Sequence, residues 1–344
     1  MVRRMFGALL AGLLLSAGLI ATPAFADPAG DQPLPGYTIN NPPLEPLVVE
    51  GTPTQVLQGV YKNAAYDIEV PPQWNGELVM WAHGYRGNGT VLTVDVPRFG
   101  LRERFVQQGY AWAASSYYAN GYDVRAGVLS TRDLAGYFTE LVGTPSRTYI
   151  AGDSMGGHVV GRSLEQYPEF YAGALPVCGV LGDQQLFDFY LDYNLISQDL
   201  ADVPAYPIPA DYLTNAVPRI QVALGLAGLT PVGPDTLTER GKQLRAITIE
   251  RSGGPRPGAD PSFAVWKDLL FFIAVPSGID TLAGDPGRIA QNLLTYYQPN
   301  TPERVNLTVQ RVAPEDLRSR LSPFLTEIPR ISGRPRVPVM SLHD

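Results

Sequence analysis

The chain has 344 residues, of which 45% are hydrophobic and 17% are charged, and its formal net charge is −7. This length is enough to bury one large core together with an insertion. The acidic balance and the scattered lysines and arginines argue against a polyanion-binding surface, so nucleic acid is not expected as a partner.

The first residues have the pattern of a secretory signal peptide. Residues 1–4 are basic at two positions, residues 5–20 are apolar, and Ala-Phe-Ala at 24–26 is a small-x-small cleavage site. A transmembrane anchor is the less favoured alternative, because the apolar stretch is short and the cleavage site follows it directly. We therefore expect residues 1–26 to be removed after Ala26 and the protein to be secreted or periplasmic. Sec and twin-arginine export both stay open.

The next segments predict an extended arm followed by an α/β core. Residues 27–52 are rich in Pro, Gly, Asn and Asp. Within the core, assigned to residues 53–182, strands are predicted at 55–60, 65–70, 76–82, 110–115 and 146–153, and helices at 99–108 and 127–142. The first two strands form a predicted hairpin. The later alternation of strand and helix predicts a mostly parallel sheet.

Residues 152–156 carry the most specific chemical signal in the chain. They read Gly-Asp-Ser-Met-Gly, the G-x-S-x-G pattern of a nucleophile elbow. A sharp strand-to-helix turn exposes the serine hydroxyl, and glycines on both sides leave room for that turn. Ser154 is therefore the predicted nucleophile, and the amides of the following helix favour negative charge on a substrate oxygen.

Three segments together resemble the α/β-hydrolase superfamily, and more narrowly secreted bacterial hydrolases with a large cap. They are His83-Gly84, the run 152–157, and the Pro-Val-rich run 336–343. The resemblance implies an α/β-hydrolase fold, a mostly parallel sheet flanked by helices, with an inserted helical cap. It also implies an oxyanion hole made by the amides of Tyr85 and Met155. Supporting positions are implied at His83, Gly84, Gly152, Asp153 and Gly156.

The sequence departs from this superfamily at the catalytic base. The triad there runs Ser, acid, His, with the acid a few residues beyond the Pro-Val run, whereas this sequence ends at Asp344 directly after His343. Of the other two histidines, His83 is expected to be a hydrogen-bonding residue of its loop, and His158 to point along the wall of its own helix. We expect a C-terminally truncated hydrolase with a nucleophile and an oxyanion hole but no base.

Residues 183–334 predict a helical cap inserted over Ser154. Aromatic and aliphatic residues dominate stretches such as 186–193 and 263–272, and Pro/Gly breaks separate them. They predict an apolar pocket beneath the cap, and ordinary packing between helices is the alternative. Residues 335–344 are assigned to a core strand whose edge and face are left uncovered.

The chain shows no signal for a cofactor or a metal ion. Gly84, Gly87 and Gly89 do not have the dinucleotide-binding order, and three separated histidines with one cysteine form no recognisable ligand set. The single cysteine excludes an internal disulfide. Cys178 lies in the apolar run 174–180, which predicts a buried thiol rather than a reactive one.

Two functions follow from these patterns. The first is a secreted serine hydrolase that cleaves an ester, or less favourably an amide, of an apolar or aromatic acyl group through an acyl-enzyme on Ser154. The second is a catalytically inactive α/β-hydrolase-like protein that binds a small-molecule ligand under its cap. The elbow favours the first function, and the missing base favours the second. No membrane span is expected after removal of the leader.

Overall fold

The computed structural model describes residues 31–299, 304–322 and 326–343. The predicted leader 1–26, the first residues of the predicted arm and Asp344 lie outside this part of the chain. The strands in chain order are β1 Thr38–Ile39, β2 Val48–Val49, β3 Thr52–Pro53, β4 Gln55–Tyr61, β5 Ala64–Val70, β6 Glu77–Ala82, β7 Val91–Leu92, β8 Ala111–Ser115, β9 Arg147–Asp153 and β10 Gly173–Val177.

Six of these strands form the central sheet, in the order β10-β9-β6-β8-β5-β4. Neighbouring strands from β10 to β8 are parallel, and the β4–β5 hairpin adds two antiparallel strands at one edge. Lys62 and Asn63 both have positive φ, at 47° and 70°, as a tight two-residue hairpin turn requires. The predicted mostly parallel sheet and its hairpin are confirmed.

The first three helices alternate with the strands of the sheet, and the remaining helices follow strand β10. The helices in chain order are α1 Leu101–Gln107, α2 Val124–Leu141, α3 Met155–Gln166, α4 Gln185–Ala201, α5 Ala216–Leu224, α6 Glu239–Arg251, α7 Ala259–Ile273, a 3-10 turn at Pro286–Ile289, α8 Arg304–Thr308 and α9 Leu317–Leu321. The segment predicted to be a helical cap contains α4 to α9, and its boundaries at 183 and 334 stay predictions.

Alternate side chains of the central strands supply two separate apolar cores. Leu78 and Met80 of β6 belong to the larger core with residues of α2 and α3, and Val79 and Trp81 belong to a smaller core with Val106 of α1. Successive side chains of a strand point to opposite faces. A sheet covered on both faces explains why β6 is almost wholly apolar.

Helix α2 begins three residues before the predicted start at position 127. Asp123 precedes its first turn, and the side-chain carboxylate accepts a hydrogen bond from the amide of Ala126 at 2.8 Å. Such an N-cap satisfies a helix amide that has no partner within the helix. The cap, rather than the apolar pattern, sets this boundary.

The segment near residue 340 lies beside β10 in parallel. The amide of Met340 donates to the carbonyl of Ala174 at 3.0 Å, and the amide of Cys178 donates to the carbonyl of Leu342 at 2.7 Å. Met340 itself is 67% exposed. Two isolated parallel bridges, Ala174–Val339 and Val177–Leu342, join this run to β10. The assignment of residues 335–344 to a core strand stays a prediction.

Within the described residues, no helix combines the length and the apolar character that crossing a membrane requires.

Candidate active site

Ser154 lies at a sharp turn between a strand and a helix. Strand β9 ends at Asp153, α3 begins at Met155, and Ser154 between them is exposed, with φ 53° and ψ −119°. A non-glycine residue rarely adopts a positive φ, and such strain is typical of functional sites. The predicted strand–turn–helix geometry is confirmed, and the nucleophilic role of Ser154 stays a prediction.

Two glycines allow this turn to lie close to the neighbouring strand. A Cβ atom on Gly152 would lie 2.6 Å from the carbonyl oxygen of Ala82, and one on Gly156 would overlap the same oxygen. Ala82 is the last residue of β6 and pairs with Gly152 in the sheet. The glycines of the motif are therefore required by close backbone approach.

The loop after β6 lies against the serine. A Cβ atom on Gly84 would be 3.2 Å from the Cβ of Ser154. Among the described residues, the backbone amides of Tyr85 and Met155 donate no hydrogen bond to a protein acceptor. Free amides beside an exposed hydroxyl are what an oxyanion hole needs. The assignment of these two amides stays a prediction.

An apolar cavity of 610 Å³ extends from Ser154 into the helical segment. Its walls include Val177 at the end of β10 and Cys178 after it, Phe189 and Tyr190 of α4, and Phe263 and Trp266 of α7. Helix α6 contributes Thr248 and Ile249. The expected apolar pocket is therefore present, and the same helices also pack against one another.

The side chain of Asp153, next to the serine, is mostly buried and forms an ion pair with Arg98. Its side chain is 7% exposed, and its Oδ2 accepts a hydrogen bond from Arg98 at 3.2 Å. Burial raises the pKa of the Asp153 carboxyl, and the nearby Arg98 guanidinium opposes this rise. Arg98 therefore binds one carboxylate oxygen of the residue next to Ser154.

His83 lies between two backbone carbonyls, one in its own loop and one after β8. Its Nδ1 lies 2.7 Å from the carbonyl of Gly84, and its Nε2 lies 3.2 Å from the carbonyl of Ser116. The ring stacks on Tyr117 at a centroid distance of 3.9 Å. Burial lowers the pKa of His83. The expected hydrogen-bonding role of His83 is confirmed.

His158 is buried inside the fold. Its Nε2 donates to the carbonyl of Pro329 at 2.7 Å, and its Nδ1 accepts from the hydroxyl of Tyr122 at 3.4 Å. Burial lowers its pKa to about 4, so the ring is neutral near pH 7. His343 is exposed and bonds to Ser341. None of the three histidines lines the cavity in the described part of the chain.

The prediction of a buried thiol at Cys178 is wrong. Strand β10 ends at Val177, which pairs with Asp153, and Cys178 turns away from the sheet with φ 44°. The side chain is exposed and lines the cavity beside Ser154. The apolar run 174–180 suggested a longer strand. The carboxyl ends of parallel strands meet at one edge of a sheet. A strand predicted to end at Val177 would therefore have placed Cys178 at the same edge as Ser154.

Sequence reasoning also missed the polar residues of the cavity wall. Arg256, Ser252 and Ser262 line it where α6 ends and α7 begins. Their sequence, Ser-Gly-Gly-Pro-Arg-Pro-Gly at 252–258, is typical of a surface loop. No local pattern connects this loop to a serine about a hundred positions earlier.

Comparison with known proteins gives only remote likenesses. No protein-family model and no curated protein matches the chain. Similar solved structures include an acetyl xylan esterase from Aspergillus awamori (20% identity, TM-score 0.30), EstE5 (20%, 0.31) and Est1E from Butyrivibrio proteoclasticus (12%, 0.31). The alignments cover 37%, 41% and 39% of this chain and 52%, 50% and 55% of those chains. The chain thus spans about half the length of these structures, and at such TM-scores the likeness carries no functional argument.

Proposed function

We propose that the chain is an α/β-hydrolase whose Ser154 forms an acyl-enzyme with small-molecule esters of apolar or aromatic acids. One observation supports this most strongly: an exposed serine in a strained strand-to-helix turn opens into an apolar cavity. Strained backbone conformations cluster at functional sites, and this one lies in the wall of the cavity.

In the proposed reaction, the hydroxyl oxygen of Ser154 attacks the ester carbonyl and the proton of the hydroxyl passes to a base. The amides of Tyr85 and Met155 stabilise the negative charge on the carbonyl oxygen. The alcohol leaves with a proton, the acyl group stays on Ser154, and water then releases the acid. The apolar wall formed by Phe189, Phe263 and Trp266 would hold the acyl group.

The described residues place no histidine beside the hydroxyl of Ser154. The ring nitrogens of the described histidines contact Gly84, Ser116, Pro329, Tyr122 and Ser341 instead of Ser154. Without a base, the serine is a neutral alcohol, and only a small residual rate from the oxyanion hole and binding is expected. This observation favours the second candidate, a ligand-binding protein of the same fold.

Chemical rescue separates these two candidates. Imidazole is small enough to enter a cavity of 610 Å³ and can act as a general base. We expect added imidazole to increase hydrolysis of p-nitrophenyl butyrate by the parent chain above the rate with Ser154→Ala, which measures the reaction of imidazole alone. If parent and variant have the same rate at every imidazole concentration, the hydrolase proposal fails.

Export is a further part of the proposal and is supported by the sequence of residues 1–26. Expression of the full chain in a bacterial host and sequencing of the mature N-terminus tests it. We expect the mature protein outside the cytoplasm to begin at Asp27. A protein that keeps Met1 and stays in the cytoplasm would contradict export.

A further inference from the structure

In the described part of the chain, the wall of the cavity at Ser154 contains one cationic side chain, that of Arg256. Arg256 lies in the exposed loop between α6 and α7, where it also lines a second cavity beside Arg245 and Asp260. Asp153, next to Ser154, contributes an anionic side chain, and the remaining wall is mostly apolar. The other polar wall residues at this end are Ser252, just beyond the last turn of α6, and Ser262, in the first turn of α7. One group of polar side chains therefore lies where these two helices meet.

The guanidinium of Arg256 is largely uncommitted. Its Nη1 donates to the hydroxyl oxygen of Ser252 at 3.3 Å and to the carbonyl of Gly254 at 3.1 Å. Both acceptors are neutral. Among the described residues, no carboxylate lies within ion-pair distance of Arg256, and Asp260 nearby pairs with Arg245 at 3.3 Å instead. Nη2 and Nε can therefore bind a ligand.

The opposite end of the same wall is apolar. Along α7 from Ser262, the wall residues are Phe263, Trp266, Leu269, Leu270 and Ile273. With a rise of about 1.5 Å per residue, this wall extends roughly 16 Å along the helix. A ligand that fills the cavity therefore meets both an apolar surface and a cation with free donors.

We propose that Arg256 is a specificity-determining residue that binds a carboxylate carried by the acyl part of the substrate. This inference rests on the proposed function and narrows its substrate class to esters of dicarboxylic acids with one free carboxylate. An arginine fork matches a carboxylate well, and the apolar wall holds the methylene chain between the acid and the ester. A neutral acyl chain of the same length would leave the guanidinium without its anionic partner.

The test uses binding rather than turnover, so that it does not depend on a catalytic base. Monomethyl suberate and its carboxamide analogue, which differ only in the terminal group, are titrated calorimetrically into the Ser154→Ala chain. We expect the carboxylate to bind about five- to tenfold more tightly at low salt, since Arg256 is exposed and its charge is partly screened. Added salt should reduce this preference.

Two substitutions of Arg256 and one control test whether its guanidinium binds the carboxylate. Arg256→Gln in the same background should remove the preference for the carboxylate, whereas Arg256→Lys should keep part of it. Arg219→Gln, at an exposed position of α5 outside the cavity, is the matched control and should keep all of it. Equal affinity for the two ligands, no binding of either, or a preference that survives Arg256→Gln would each overturn the proposal.

The outcome is distinguishable from failure of the hydrolase proposal. Rescue of Ser154 by imidazole together with equal affinity for both ligands would leave a hydrolase without this specificity. A preference abolished by Arg256→Gln together with no rescue would support acid binding by Arg256 in a protein without catalysis.

Discussion

The elbow around Ser154 and the helical segment above it are held in different ways. At the elbow, backbone atoms of neighbouring strands approach so closely that Gly152 and Gly156 have no room for a side chain. In the helical segment, buried ion pairs join distant positions, such as Asp188 of α4 and Arg320 of α9. The close backbone approach at the elbow can be predicted from a short sequence motif. The ion pairs of the helical segment join positions far apart in the sequence, so no short motif predicts them.

The strongest way to test this difference is Gly156→Ala. The added Cβ would overlap the carbonyl of Ala82, and backbone atoms of a central strand cannot move aside easily. We expect the free energy of unfolding, measured by urea titration, to fall by about 3–4 kcal/mol or folding to be lost.

Gly89→Ala is the matched control for that substitution. No atom lies within 4 Å of the position of its added Cβ. Its effect should stay within about 0.5 kcal/mol. Equal effects of the two substitutions would show that the elbow does not depend on close backbone approach.

The ion pair of the helical segment gives the next largest effect. Arg320 donates from Nη1 and Nη2 to the two carboxylate oxygens of Asp188 at 2.8 and 2.7 Å, and Nη1 also binds the carbonyl of Ile289. Arg320→Ala leaves a buried carboxylate without its cation, so we expect the free energy of unfolding to fall by about 3 kcal/mol.

Arg318→Ala, at an exposed position of the same short helix, is the control and should change stability by less than about 0.5 kcal/mol. The double substitution Asp188→Leu with Arg320→Leu should recover part of the loss, because it removes both charges together. If Arg320→Ala behaves like the control, the ion pair does not hold α9 to α4.

The sequence predicted the elbow well because the residues that form its turn are local, although the β6 carbonyl that they approach, that of Ala82, lies about seventy positions earlier. The glycines, the serine and the apolar strand before them lie within about ten positions. For the cavity wall, the sequence predicted apolar character and helical structure but not which residues form it. Arg256 and Cys178 were not placed there, because their positions depend on where a loop and a strand end come to lie in the folded sheet and helices.

A smaller effect concerns pH and the start of α2. Burial raises the pKa of Asp123 to about 6, above the value of 3.8 for an exposed carboxyl. The folded state therefore binds the proton more tightly than the unfolded state. This group adds stability as pH falls through 6, and that contribution is lost as pH rises. Between about pH 5 and about pH 7 the loss should be about 1 kcal/mol.

Asp123→Asn checks this contribution. The asparagine oxygen can still accept the hydrogen bond from Ala126, so the N-cap is kept while the titrating group is removed. Urea unfolding at several pH values should show a flatter pH dependence for the variant than for the parent. Parallel curves would mean that other groups cause the dependence.

The central claim is that Ser154 is a nucleophile, and intact mass spectrometry with peptide mapping tests it most directly. The parent chain and Ser154→Ala are incubated with p-nitrophenyl butyrate in the presence of imidazole and quenched in acid. Our account predicts one butyryl group in the parent, located on the peptide that contains Ser154, and none there in the variant. Two results would contradict it. The parent chain could stay unmodified, or both proteins could carry the same amount of butyryl group on another residue, such as Cys178.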